Sequence, residues 1–174
     1  MQNNLLSNQQ YGFIKGRSTV TQLINILDKW TDYLENGGQI DVIYTDLEKA
    51  FDKVSHAHLI NKLKFYNINP QLLDWINSFL TKRSQRVRIN DSFSNWVKVL
   101  SGIPQGSVLG PLLFLLYIND LASIDNLSSE LFLLVDDAKL FRYISKQSDI
   151  SDLQKDLNEL FVWTSKSLLM LNVS

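Results

Sequence analysis

Two apolar segments of this chain each run directly into aspartate. Ile40, Val42, Ile43, Tyr44 and Thr45 lead to Asp46, and Leu131, Phe132, Leu133, Leu134 and Val135 lead to Asp136 and Asp137. Both read as strands, and the first, apolar at nearly every position, as one buried on both faces. A carboxylate at the tip of such a strand is costly to desolvate without a partner. Three of them at strand ends therefore read as a divalent-metal site.

The chain has 174 residues, 45% of them hydrophobic, enough for one domain with a real core. Its formal net charge is −1 and its sequence pI about 6.1, less basic than a free-standing nucleic-acid binder. Nucleic-acid contact would have to come from local basic clusters or from segments outside this chain. The absence of cysteine excludes a disulfide framework and a thiolate zinc site. The first residues, Met1, Gln2, Asn3 and Asn4, do not form a signal peptide. The longest apolar stretch, Val108 to Ile118, contains Gly110 and Pro111 and is too short to span a bilayer. A soluble chain with no membrane partner is the expectation.

Ser18 is placed to cap a helix in which Val20, Leu23, Ile24, Leu27, Trp30 and Leu34 follow helical spacing, ended by Asn36, Gly37 and Gly38. A short helical turn is expected over Leu47 to Lys53, a second helix over His58 to Tyr66, and a third from Pro70 to Leu80. Val87 and Ile89, then Val97 and Val99, alternate around Asn90 and Asp91, a hairpin pattern. Val108 to Leu121 reads as a buried helix. Leu131 to Tyr143 reads as two strands joined by a tight turn at Asp136 and Asp137. Asp149 to Leu169 reads as an amphipathic helix with Ile150, Leu153, Leu157, Leu160 and Phe161 on one side.

This order matches the first part of a split β-α-β, ferredoxin-like layout, an α+β fold with an antiparallel sheet packed with helices. There the first strand lies antiparallel to the second arm of the later hairpin, so Asp46 and Asp136 become neighbours. Carboxylates in contact repel, and without a cation one would take up a proton. A pair of Mg²⁺ ions, which prefer carboxylate and phosphate oxygens, resolves this. The plain alternative is a solvated Asp-Asp turn, and spacing alone goes no further than a metal site.

The motifs carry more. Tyr44, Thr45, Asp46, Leu47, Glu48, Lys49, Ala50, Phe51 and Asp52 form one. Residues 101–111, with Gly102, Pro104, Gln105, Gly106, Ser107, Gly110 and Pro111, form a second, long and irregular one. Val135, Asp136 and Asp137 form a third, preceded far upstream by Gln10, Tyr11, Gly12 and Phe13 with Gly16, Arg17, Ser18 and Thr19. In identity and order these resemble the reverse transcriptase of non-LTR (LINE-type) retrotransposons, motifs A, B and C and an upstream fingers motif. Trp163 onward resembles the approach to motif D. Group II intron and retron polymerases share the core motifs. A metal-dependent cyclase or nuclease would share the carboxylates but does not account for residues 101–111.

The resemblance implies a polymerase palm over residues 39–174, with a fingers-side helical and hairpin insertion at about 56–99. Residues 1–38 would be part of the fingers, and no thumb is expected. Asp46 and Asp136 would bind two Mg²⁺ ions, with Mn²⁺ a possible substitute. Asp137 would support them and the Leu47 carbonyl would complete one shell. Phe51 would sit under the sugar of the incoming deoxynucleoside triphosphate and clash with a 2′-hydroxyl, though by itself it could be an ordinary core phenylalanine. Gln105 and Gly106 would approach the nucleotide, and Arg17 the triphosphate or template backbone. Lys82, Arg83, Arg86 and Arg88 would contact the phosphates of the RNA template or DNA primer, or simply coat an exposed hairpin. His56 and His58 receive no role. The family implies a cytoplasmic or nuclear location.

The chain departs from the pattern at Leu134, where the family has an aromatic residue, at Val135 for alanine, at Ala138 for threonine, and at Ile14 for arginine. It stops before the lysine of motif D. The expectation is therefore a fragment, inactive alone, with an unpaired sheet edge. The competing expectation is a non-catalytic remnant that binds nucleic acid or protein.

Overall fold

The computed structural model describes residues 5–124 and 127–172. The chain forms two compact units, one of residues 1–50 with 118–174 and one of residues 51–117.

The first unit is built on a sheet. After α1 (Thr19–Glu35) comes β1 (Gln39–Thr45), and further on the hairpin β6 (Glu130–Leu134) and β7 (Asp137–Ile144). The order is β1-β7-β6, antiparallel throughout, with Thr45 opposite Ala138 and Leu134 opposite Asp137. The expected antiparallel pairing of the first strand with the second hairpin arm is present. Beyond β6, residues 9–11 run alongside it: Tyr11 N donates to Leu133 O at 2.9 Å, and Leu133 N to Gln9 O at 2.9 Å. That edge is therefore covered. β1 is not buried on both faces as its composition implies. It is half-buried, pairs along its length with β7 alone among the described residues, and leaves Tyr44 65% exposed. An apolar run looks the same in a central strand and in an edge strand.

Alternation divides the sheet. Ile40, Val42, Phe132, Phe141 and Tyr143 face α1 and close a core with Ile26 and Trp30. Phe132 stacks on Tyr11 at 5.8 Å between centroids, and Trp30 meets Phe141 edge-on at 5.5 Å. Burying a ring the size of Phe141, which is wholly enclosed, contributes about 1.5–3 kcal/mol. The Ser18 cap is present, its hydroxyl accepting from Thr21 N. The buried face of α1, however, is Gln22 and Ile26, while Val20, Leu23, Ile24 and Leu27 lie exposed. Gln22 is admitted to the core because its Nε2 donates to Leu133 O at 3.0 Å and its Oε1 accepts from Lys139 Nζ at 3.2 Å.

In α6 (Gln147–Lys166), which contacts β7, the expected face is shifted: Leu153 and Leu160 are buried as expected, and Leu157 is half-buried. Its buried stripe is Asp149, Leu153, Asp156, Leu160, Trp163 and Thr164, whereas Ile150 and Phe161 are exposed. Asp156 Oδ2 accepts from the backbone N–H of Ser128 and Ser129 at 3.1 and 2.7 Å. Asp149 accepts from Arg142 Nη2 at 3.0 Å and from Ser145 N and Lys146 N at 3.0 Å each. The Ser145 N–H, then the Arg142 guanidinium and the Lys146 N–H, hold the Asp149 carboxyl below its ordinary value of 3.8. A lowered native pKa stabilises the fold above pH 3.8, and the contribution is lost as pH falls through the native value. Asp149→Asn is thus expected to melt below wild type at pH 7 and to converge with it in acid. Urea melts at pH 7 and near pH 3 check this.

In the second unit a short turn of helix, α2 (Ala50–Lys53), begins one residue before the unit boundary. It is followed by α3 (His56–Phe65) and α4 (Pro70–Leu80), which pack on each other. α3 starts two residues before the expected His58, because the Ser55 hydroxyl caps it. Asn69 caps α4 with proline at its first turn. The expected hairpin is present as short paired strands, β2 (Ser84–Gln85) with β5 (Val97–Lys98) and β3 (Arg88–Ile89) with β4 (Ser92–Phe93). The buried helix is α5 (Gly110–Ile118), continued in the first unit by a 3-10 turn, Asn119–Ser123. Among the described residues no helix is long and apolar enough to cross a membrane.

Candidate active site

The Thr45–Ala138 pair brings the end of β1 to the β6–β7 turn, and with it Asp46. The turn is displaced by one residue from its expected position. Leu134 and Asp137 form the closing pair, so Val135 and Asp136 make the tip and Asp137 begins β7. Val135 has φ +60°, a left-handed conformation that a β-branched residue adopts only under constraint. Gln10 supplies the constraint. Its Oε1 accepts from Val135 N at 2.8 Å and from Gly12 N at 2.7 Å. Gly12 must lack a side chain, since a Cβ there would stand 2.3 Å from Val135 Cγ2.

The three carboxylates share one electrostatic field. Asp136 is raised above the usual carboxylate value chiefly by burial, then by the charges of Asp137 and Asp46, against its own backbone N–H. Asp137 is raised by burial, then by Asp46, with Lys139 opposing. Among the described residues no three acidic or histidine side chains stand as a ready-made metal cage. Asp46 is gripped from the C-terminal side: Asn172 N donates to Asp46 O at 2.8 Å and Asn172 Nδ2 to Asp46 Oδ2 at 3.2 Å. With Glu48 N donating to Met170 O at 2.8 Å, these bonds flank the Leu47–Leu171 bridge. Leu47 thus sits in a non-hydrogen-bonded pair, its carbonyl turned away from Leu171.

In the second unit the tail of the Asp46 motif is joined to the 101–111 loop. Ile103 N donates to Phe51 O at 2.9 Å, Gly102 N to Val54 O at 2.8 Å, and Gln105 Nε2 to Asp52 Oδ1 at 3.0 Å. Gly102, at φ +88°, leaves no room for a Cβ, which would lie 2.8 Å from Asp52 O. Its carbonyl meets His56 Nε2 at 2.8 Å and accepts from Arg83 Nη2 at 3.1 Å. Asp52, Gly102 and Gln105 line a cleft of about 590 Å³. Gly106, at φ +78°, has open space around it. Ser107 Oγ accepts from Gly110 N at 3.0 Å, at the start of α5. Phe51 stacks on Phe114 with centroids 4.3 Å apart.

The basic candidates divide. Arg17 donates to Ser7 O, Gln10 O and Asn8 Oδ1 at 2.6–2.8 Å, tying the segment that holds Val135. Arg83 donates to Leu80 O at 2.9 Å as well as to Gly102 O. Lys82, Arg86 and Arg88 are exposed. Sequence reasoning gives no role to Gln10, Asn172 or His56. Gln10 lies within the upstream fingers motif, and a glutamine two residues before a glycine is the one signal the sequence holds for it.

An antiparallel three-stranded sheet with carboxylates at one end, backed by helices, is the arrangement of a polymerase palm, and the solved structures it resembles are of that fold. Telomerase from Candida tropicalis, solved in complex with a fragment of telomeric RNA, superposes with a TM-score of 0.69 at 16% identity, over 94% of this chain and 29% of that one. Telomerase from Candida albicans gives 0.68 at 13% identity, over 94% and 31%. The model of the family "Reverse transcriptase (RNA-dependent DNA polymerase)" matches residues 1–174. The chain belongs to that family. Its relatives include the probable RNA-directed DNA polymerases of transposon BS (32% identical) and transposon X-element (34%) of Drosophila melanogaster, each over 67% of this chain. The polymerase of the mobile element jockey from the same organism is 33% identical over 64%. The kinship is with non-LTR retrotransposons. The chain spans about 13% of the length of the first two relatives.

Proposed function

We propose that this chain is the catalytic palm of an RNA-directed DNA polymerase, and that Asp46, Asp136 and Asp137 carry nucleotidyl transfer. The observation that carries the reading is the register of the sheet: Thr45 opposite Ala138 and Leu134 opposite Asp137 bring Asp46 to the turn that holds Asp136 and Asp137. The donor set fits Mg²⁺, which is usually held by one or two carboxylates and completed by substrate phosphates rather than by an all-protein cage. Two such ions, when bound, lower the pKa of an attacking 3′-hydroxyl and neutralise the departing pyrophosphate. Asp46 and Asp136 would hold both ions, Asp137 would support them, and the Leu47 carbonyl would complete one shell. Gln10 keeps the Val135 turn in shape, and Asn172 orients the Asp46 carboxylate.

Phe51 would exclude the ribose 2′-hydroxyl, with its ring fixed by Phe114. Gln105, held by Asp52, and Gly106 would face the nucleotide. Lys82, Arg86 and Arg88 are the cations for RNA template and DNA primer, and Arg17 and Arg83 act through the loops they tie. Residues 1–38 belong to the fingers by motif, with the insertion at 56–99 on the fingers side.

Equilibrium dialysis with Mn²⁺ tests the reading. The chain is expected to hold dUTP more tightly than UTP, which differs from it only by the 2′-hydroxyl, and Phe51→Ala to narrow that preference by roughly tenfold or more. Unchanged Mn²⁺-dependent dUTP binding in Asp46→Asn would contradict it. A second reading, a nucleic-acid- or protein-binding module without catalysis, is favoured by the departures from the family pattern at Leu134 and Ala138, on either side of the carboxylate turn. It predicts RNA or protein binding with no metal-dependent nucleotide binding.

A further inference from the structure

The hairpin of the second unit is unusual in being exposed on both faces. Residues 84–98 are all exposed, and each of its strands is only two residues long. A two-stranded ribbon of this kind is marginal in water unless something packs on it. Its large apolar groups remain open, with Trp96 63% and Phe93 49% exposed.

One face has a specific chemistry. Arg88 is directly opposite Phe93, and alternation puts Arg86 on the same side. The Arg86 guanidinium lies 3.9 Å from the Phe93 ring centroid and 4.6 Å from that of Trp96, and Arg88 lies 5.5 Å from Phe93. Cation and ring thus alternate: Arg88, Phe93, Arg86, Trp96. Each ring is held by a guanidinium, which fixes its orientation while about half or more of its surface stays open. Residues 81–100 also carry Lys82, Arg83, Arg86, Arg88 and Lys98 against one acid, Asp91, in a chain of formal net charge −1. The positive charge is therefore concentrated on this element.

We propose that the Arg86–Phe93–Arg88–Trp96 face is a stacking platform for single-stranded RNA, the template strand. This rests on the polymerase reading and adds to it the element that grips unpaired bases. Aromatic faces take successive bases without regard to sequence, and adjacent cations follow the phosphates. A protein partner would also favour tryptophan and arginine, but five cations against one acid match a polyanion. Phe93 and Trp96 supply what phosphate contact alone lacks, a preference for unstacked bases over a duplex.

Fluorescence anisotropy of a labelled RNA of about 12 nucleotides, a length within the span such platforms cover, tests this on the 174-residue chain without divalent metal. Trp96→Leu, at an exposed position, is expected to weaken binding about tenfold or more and to leave the salt dependence unchanged, and Trp96→Phe to restore most of the loss. Arg86→Gln is expected to reduce the slope of log affinity against log salt by about 0.7. Duplex RNA of the same length is expected to bind more weakly and without dependence on Trp96. Wild-type affinity in Trp96→Leu with an unchanged melting temperature overturns the platform, as does equal binding of single strand and duplex. If metal-dependent nucleotide binding fails while Trp96-dependent RNA binding persists, the catalytic reading falls and the platform stands.

Discussion

Asp136→Asn is expected to shift the melting temperature in opposite directions with and without divalent metal. Without metal, the substitution removes a charge that burial, Asp137 and Asp46 all disfavour. Asparagine keeps the shape of the side chain, so the variant should melt at or slightly above wild type. With millimolar Mn²⁺ or Mg²⁺, wild type gains stability because the ion binds the folded carboxylate cluster and not the unfolded chain. At a concentration about 100 times the dissociation constant this gain is about 2.7 kcal/mol, roughly 5–10 °C for a chain of this size. Asp136→Asn should lose most of it. A purely structural role for Asp136 predicts a variant that melts lower in both conditions. Scanning calorimetry of both proteins at several metal concentrations distinguishes the outcomes.

Gln10→Ala should strongly destabilise the first unit. Gln10 is 3% exposed, and its Oε1 is the acceptor for two N–H groups, Gly12 N and Val135 N. Alanine leaves both without that acceptor, at about 1–3 kcal/mol for each buried donor. It also frees Val135 from the bond that opposes relaxation of its left-handed backbone. A loss of about 2–4 kcal/mol is expected in urea melts, together with weaker Mn²⁺ binding, because the turn that presents Asp136 loosens. Gln10→Glu retains an acceptor for both N–H groups but adds a charge beside the carboxylates, so it should recover only part of the stability. If Gln10→Ala costs under about 0.5 kcal/mol, the range of an ordinary surface change, the clamp is not what holds the turn.

The parts of this fold that are legible in the sequence are those where local chemistry and tertiary packing agree. Pro70 marks the start of α4, and the apolar runs that end in aspartate mark β1 and the β6–β7 hairpin. The faces of α1 and α6 are only partly legible: Trp30, Leu153 and Leu160 lie inward as expected, but other positions do not, and for one reason. Gln22, Asp149 and Asp156 are buried because backbone groups elsewhere in the chain bond them. Apolar periodicity carries no record of such bonds, so it places Val20 and Ile24, or Ile150 and Phe161, inward when they lie outside. The one-residue displacement of the Asp136 turn has a similar origin. Val135 looks like the end of a strand, and only the bond from a residue 125 positions away, Gln10, bends it into the turn. The carboxylates themselves are legible as a set, because a charge at the tip of an apolar strand is stable only where something offsets it. Their support from Asn172 and Gln10 is not, since it depends on which segments the topology brings alongside.

On the proposed function, Asp46 and Asp136 would jointly bind a pair of divalent ions with a deoxynucleoside triphosphate. Electron paramagnetic resonance of Mn²⁺ titrated into the chain with dTTP measures this directly. The expected result is two ions per chain with the spin coupling of a pair roughly 3.5–4 Å apart, reduced to at most one uncoupled ion in Asp46→Asn and in Asp136→Asn. A single uncoupled ion in wild type, or the same coupled spectrum in both variants, would contradict it.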